Sequence, residues 1–160
     1  MVSASVLRVL FPKGEWVWRT VLLFGFIFLD LLVTIMLCET PYAEANLLAR
    51  SFMQTYGIAT GLVIFDLLFS VPIYAILVLD SHLVRYTGQY SLIAELFVDI
   101  TLGWLIAGTH FNGALSWLWN APHLIRQTLG FGFYIAVAIP MFYLRPKPVL
   151  PRSLPEPNMQ

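Results

Sequence analysis

Apolar residues in this chain come in long unbroken runs separated by short polar stretches. Four runs stand out, at about 17–38, 57–79, 90–110 and 128–144. Each is close to the ~20 residues that a helix needs to cross a ~30 Å hydrocarbon core. In lipid every backbone N–H and C=O must be paired internally, and a continuous helix does this. A membrane barrel would alternate polar and apolar positions in ~10-residue segments, and these runs do not alternate. The pattern therefore predicts an all-α integral membrane protein: a four-transmembrane-helix bundle with both termini cytoplasmic. Residues 1–145 form a single domain, and 146–160 a cytoplasmic tail extended by Pro146, Pro148, Pro151, Pro155 and Pro157. The fourth run is the shortest and contains Pro140, which bends or ends it.

The segment before the first run places Val2, Val6, Val9 and Leu10 around Arg8 and Lys13. That is the make-up of an interfacial amphipathic turn. No Ala-x-Ala pattern follows the first run before Cys38, so the run reads as a retained helix.

Composition agrees with the pattern. The chain is 59% hydrophobic and 11% charged, against roughly 25% charged in a soluble domain, and its mean hydropathy is +0.77. Nine basic residues balance nine acidic ones, which leaves no positive field for nucleic acid. A single cysteine, Cys38, excludes an intrachain disulfide framework. Orientation follows from the basic residues. Arg8, Lys13, Arg19, Arg85, Arg145, Lys147 and Arg152 fall on one side of the four runs, and only Arg50 and Arg126 on the other. This asymmetry puts the termini inside.

Candidate chemistry lies in the polar residues within the runs. Asp30, Asp66 and Asp99 each sit about ten residues from a run's end, about 15 Å deep. One plane at mid-membrane would hold all three. A charge there costs about 2.5–3.5 kcal/mol, so three at one depth must share a proton or bind a cation. Thr34 lies one turn from Asp30, and Ser70 and Tyr74 continue the face of Asp66. At 100° per residue, Glu95, Asp99, Gly103 and His110 project within about 80° of one another. Trp104 lies deep in the third run, whereas the other tryptophans sit near run ends. The expectation is one interior site, with Asp66, Asp30, Asp99 and Glu95 as its acid–base groups. Thr34, Ser70, Tyr74, Gly103, Trp104 and His110 would bind the ligand, and Glu39, Glu44, Asn46, Asn112 and His123 would rim the outward mouth, with Arg50, Asn120, Pro122 and Arg126 beside them. Glu39, Glu44, His110 and His123 are metal-ligand types, but their spacing matches no zincin or di-iron pattern. No metal or cofactor is expected.

Two resemblances add to this reading. Asp30-x-x-x-Thr34, then Glu44-Ala45-Asn46 and Gly57 opening the next helix, resembles an uncharacterised family of small bacterial and archaeal membrane proteins. Leu47 stands where that family has proline. The resemblance covers the first half of the chain, places it in a prokaryotic cytoplasmic membrane, and implies no function. The stretch Phe65-Asp66-Leu67-Leu68-Phe69-Ser70-Val71-Pro72 is similar to one in the emopamil-binding and sigma-2-receptor-like membrane proteins. By that resemblance Asp66, in place of the usual glutamate, would face a ligand with Asp30 as partner, and Pro72 would kink the helix beside a lipid-accessible pocket. Members of that group bind sterol-like amines or isomerise sterol double bonds.

Three functions fit. The first is a bundle that binds, and isomerises or otherwise moves protons on, a hydrophobic lipid-like (sterol or polyene) molecule in a carboxylate-floored cavity. The second is a proton- or cation-coupled carrier acting as a homodimer or larger homo-oligomer. The third is a structural or assembly subunit with neighbours in a membrane complex.

Overall fold

The computed structural model describes residues 10–84 and 91–144. The expected interfacial segment at 1–9, the connection holding Arg85 and the proline-rich tail fall outside the described residues. Five helices run through the rest: α1 (Glu15–Leu37), α2 (Leu47–Tyr56), α3 (Ile58–Leu83), α4 (Ser91–Ser116) and α5 (His123–Tyr143). There is no strand among the described residues. All but α2 are long and apolar enough to cross a membrane. They alternate in direction, so α1 starts, α3 ends, α4 starts and α5 ends at one end of the molecule, here called proximal.

The distribution of side chains is inverted relative to a soluble protein. Phe28, Leu32, Met36, Leu67, Val71, Phe97 and Phe133 are exposed, while Arg19, Thr34, Ser81, Asp99, Asn112 and Gln127 are buried. An apolar surface of this extent is stable only in an apolar solvent. The chain is an integral membrane protein by this criterion.

The spans differ from the sequence expectation mainly at their ends. The third extends to Ser116 and the fourth begins at His123, because Asn112 and Arg126 pair with each other and need not lie in a loop. Helix α2 was not expected. Asn46 caps it, its Oδ1 accepting from the N–H groups of Leu48 (3.0 Å) and Ala49 (3.3 Å). Gly57, at φ 85°, is the single residue between α2 and α3, a conformation that favours glycine. The chain folds back so closely there that a Cβ on Gly61 would lie 2.4 Å from the Phe52 carbonyl oxygen.

Helix α1 packs on the second half of α4, which packs in turn on α5, and α3 packs chiefly on α1 and α2. The four spans thus do not close into a square bundle: the distal halves of α3 and α4 stand apart. Proximally, Leu77 and Ile73 of α3 join a core with Trp16, Leu23, Leu102, Tyr134 and Phe142. Pro72 sits between the two halves of α3 and removes the hydrogen bond to the carbonyl four residues back.

Helix α4 contains a wide π turn at Gly103–Gly108, and α5 ends in another at Ile139–Tyr143 containing Pro140. The first is held by α5, where the Gln127 side-chain amide donates to the Trp104 carbonyl at 3.3 Å. Gly103 and Gly130 make the approach possible, since a Cβ on either would come within 2.5 Å of Tyr134 Cδ1 or 2.4 Å of Phe111 Cβ, respectively.

Gly61→Val should therefore destabilise the protein by about 1–3 kcal/mol in thermal unfolding in detergent. Gly132→Ala, where a Cβ meets nothing within 4 Å, should not. Equal effects would contradict the close α2–α3 contact.

Candidate functional site

The polar residues separate into two groups at opposite ends of α1. Near the proximal end Arg19 is 1% exposed. Its Nε–H donates to both Asp99 oxygens at 3.1 Å, and Nη2 donates to Glu95 Oε2 at 3.1 Å. Asp99 also accepts from Tyr134 (2.7 Å) and Tyr143 (2.6 Å). The rings of Phe142 and Trp16 lie 4.5 and 4.9 Å from the guanidinium carbon, an attraction that helps to hold the desolvated cation. Asp99 is thereby neutralised and fully engaged.

This corrects two expectations. Arg19 is not a flanking residue that sets orientation; it is the cation at the depth of Asp99, in a helix that starts at Glu15 and not at Val17. Asp99 and Glu95 do not share a site with Asp30 and Asp66. Arg19 and Asp30 are eleven residues apart on α1, about 16 Å. The π turn in α4 also shifts the register between Asp99 and His110, so that uniform 100° periodicity fails across it.

The distal group surrounds a cavity of about 620 Å³, in the range of small-molecule sites. Its back wall is α1 with Asp30, Leu31 and Thr34. Leu62, Phe65 and Asp66 of α3 form one side, and Thr109, His110, Gly113 and Trp117 of α4 the other; the 43–46 loop and α5 complete the mouth. Asp30 Oδ2 accepts from His110 Nδ1 at 2.9 Å. Its Oδ1 is 3.4 Å from the Thr34 hydroxyl, which accepts in turn from Trp117 Nε1 at 3.0 Å. Gly113, one turn from His110, makes this pairing possible, because a Cβ there would lie 2.6 Å from Asp30 Oδ1. With Nδ1 committed to Asp30, Nε2 is the histidine nitrogen left for a ligand. Asp66, half-buried, makes no hydrogen bond or ion pair among the described residues.

Of the expected site residues, Asp30, Asp66, Thr34 and His110 meet at this cavity, and Glu44, Asn46, Asn112 and His123 lie around its mouth. The others do not join them. Tyr74 donates to the Leu10 carbonyl at 3.0 Å, Gly103 is covered by Tyr134, and Trp104 packs edge-on against Phe131. Ser70 lies on α3 below the cavity, and Glu39 is exposed away from it. Arg126, expected beside the mouth, also lines the cavity, whereas Gly113 and Trp117 were not anticipated. The three-residue spacing of His110 and Gly113 was the available signal for the first. Among the described residues no group of three or more His, Cys, Asp or Glu side chains is arranged to hold a metal. Cys38, just past α1, is buried, and burial with the nearby Glu44 carboxylate raises its thiol above the ordinary value, which keeps it unreactive.

Comparison of the chain with known protein families, with curated proteins and with solved structures finds no match in any of the three.

The two groups should respond differently to substitution. Arg19→Met or Asp99→Leu alone leaves a charge without its partner and should cost about 3–5 kcal/mol in detergent unfolding. The double variant should cost less than the sum. Strict additivity would mean that the two side chains do not interact.

Proposed function

We propose that this protein binds a lipid-like molecule in the distal cavity and relocates a proton on it. The observation that carries this reading is the Asp30–His110 pair at 2.9 Å, facing a cavity of about 620 Å³ within an apolar bundle. The arrangement suits the chemistry: a carboxylate that accepts the Nδ1 proton fixes the tautomer and makes Nε2 the base. Asp66, on the opposite wall and without a protein partner, is the second proton-handling group. A proton leaves one carbon of the ligand to His110 Nε2 and another is delivered from the Asp66 carboxyl at a second position. The double bond moves between them, and no oxidant or reductant is consumed.

The opening between the distal halves of α3 and α4 supports a membrane-borne ligand. Leu31, Leu62, Phe65 and Trp117 supply apolar walls for a hydrocarbon segment, and such a ligand need not leave the bilayer to enter. With Arg19 excluded, the remaining basic residues still favour the proximal end, six against two. The proximal end is thus cytoplasmic and the cavity opens in the outer leaflet of a prokaryotic cytoplasmic membrane.

The carrier reading is favoured by one observation, a second cavity of about 330 Å³ at the proximal end, lined by Lys13, Arg19 and Glu95 among others. Arg19 occupies the place where a cation would load, and Leu23, Ala107 and Tyr134, all nearly inaccessible, lie in the core around which the spans pack. The lipid reading is therefore preferred.

Protein purified from its own membrane should retain a hydrophobic small molecule, detected by native mass spectrometry. Gly113→Ala, which displaces Asp30 from His110, should abolish conversion of that molecule while the helical circular dichroism stays unchanged. Full conversion by Gly113→Ala would rule out the pair as the acting group.

A further inference from the structure

We infer that the distal cavity holds the anionic headgroup of its ligand, a phosphate or carboxylate, on Arg126; this rests on the amphiphile reading above. Arg126 is a fixed cation. Its Nε donates to Asn112 Oδ1 at 2.9 Å and its Nη1 to the Trp119 carbonyl at 2.9 Å. Asn112 is itself only 9% exposed, so the guanidinium is aimed by a buried amide. Both partners are neutral. Among the described residues no carboxylate forms an ion pair with Arg126, and its Nη2 has no hydrogen-bond partner. Arg19, in contrast, is neutralised by Asp99 and Glu95. Arg50 turns Nε and Nη2 to the Glu44 carbonyl and does not line the cavity.

A preorganised guanidinium with an unused nitrogen and an unneutralised charge is suited to a phosphate or carboxylate oxygen. His123, three residues earlier on α5, shares its face of the helix and lines the same cavity. The opposing charges are Glu44, Asp30 and Asp66. Asp30 is bonded to His110, and Glu44 Oε1 accepts from the Asn46 N–H at 2.7 Å. The cavity is thus basic at one part of its mouth and acidic at its floor, which sets a ligand's direction: anionic head at Arg126, apolar remainder inward. Arg126 lies three residues into α5 and Asp30 seven residues from the end of α1, about 5 and 10 Å deep. The proton-transfer position on the ligand is then only a few bonds from its head.

Native mass spectrometry of the full chain in detergent, titrated with dodecyl phosphate, dodecanol and dodecylamine, tests this with a constant tail. Dodecyl phosphate should bind at least about tenfold tighter than the other two, the effect of one charge-assisted contact. Arg126→Gln should bring the ratio close to one, and Arg126→Lys should keep part of it. Inorganic phosphate should not displace dodecyl phosphate; displacement at equal concentration would keep the anion site and overturn its assignment to a lipid headgroup. Equal binding of the three probes by the unsubstituted protein, which requires no variant to fold, overturns the inference and leaves the amphiphile reading standing. Failure of all three to bind overturns both.

Discussion

The burial of Arg19 is the constraint on which the rest of the arrangement depends. A guanidinium cannot be deprotonated at any ordinary pH, and in an apolar bundle it must be met by opposite charge and hydrogen-bond acceptors. Asp99 and Glu95 from α4 supply the charge, and Tyr134 and Tyr143 from α5 complete the coordination of Asp99. Three helices are therefore fixed to one another at a single point, in register as well as in proximity. Apolar packing against lipid-like surfaces gives no such specificity, because hydrocarbon side chains gain little by leaving hydrocarbon solvent.

Fixing α1, α4 and α5 proximally frees the distal halves for a different task. The glycines of α4 show the division. Gly103 admits the ring of Tyr134, which reaches Asp99, whereas Gly113 admits the carboxylate of Asp30, which reaches His110. The π turn between them gives the two ends of α4 different facing directions. Helix α3 takes no part in the proximal ion cluster and is held by α1, by Leu77 in the core and by the close contact of Gly61 with α2. Its distal half can stand away from α4, and the space so created is the cavity.

Much of this was legible in the sequence. The four apolar runs specify the spans because length and hydrophobicity suffice in lipid. The pairing of Asp30 with Thr34 follows from helical spacing, and Asp66 was placed at a depth that brings it to the same cavity. What could not be read depended on contacts between distant residues. Arg19 bonds to Asp99 eighty positions away, and its place near the start of an apolar run made it look interfacial. The grouping of Asp99 with His110 assumed an unbroken 3.6-residue period, which the wide turn at Gly103–Gly108 interrupts. Helix α2 has only ten residues, many of them polar, and its cap at Asn46 resembled ordinary loop composition. Arg126 was expected near the outward mouth, but nothing local showed that Asn112, fourteen positions earlier, would orient it.

The central claim is that Asp30 and His110 act as a coupled pair, and the tautomer of His110 reports on it directly. Nitrogen-15 magic-angle-spinning spectra of the protein in lipid bilayers distinguish a ring protonated at Nδ1 from one protonated at Nε2. His110 should carry its proton on Nδ1, the nitrogen that faces Asp30, with that preference lost in Asp30→Asn. An Nε2-protonated ring in the unsubstituted protein, unchanged by Asp30→Asn, would contradict it.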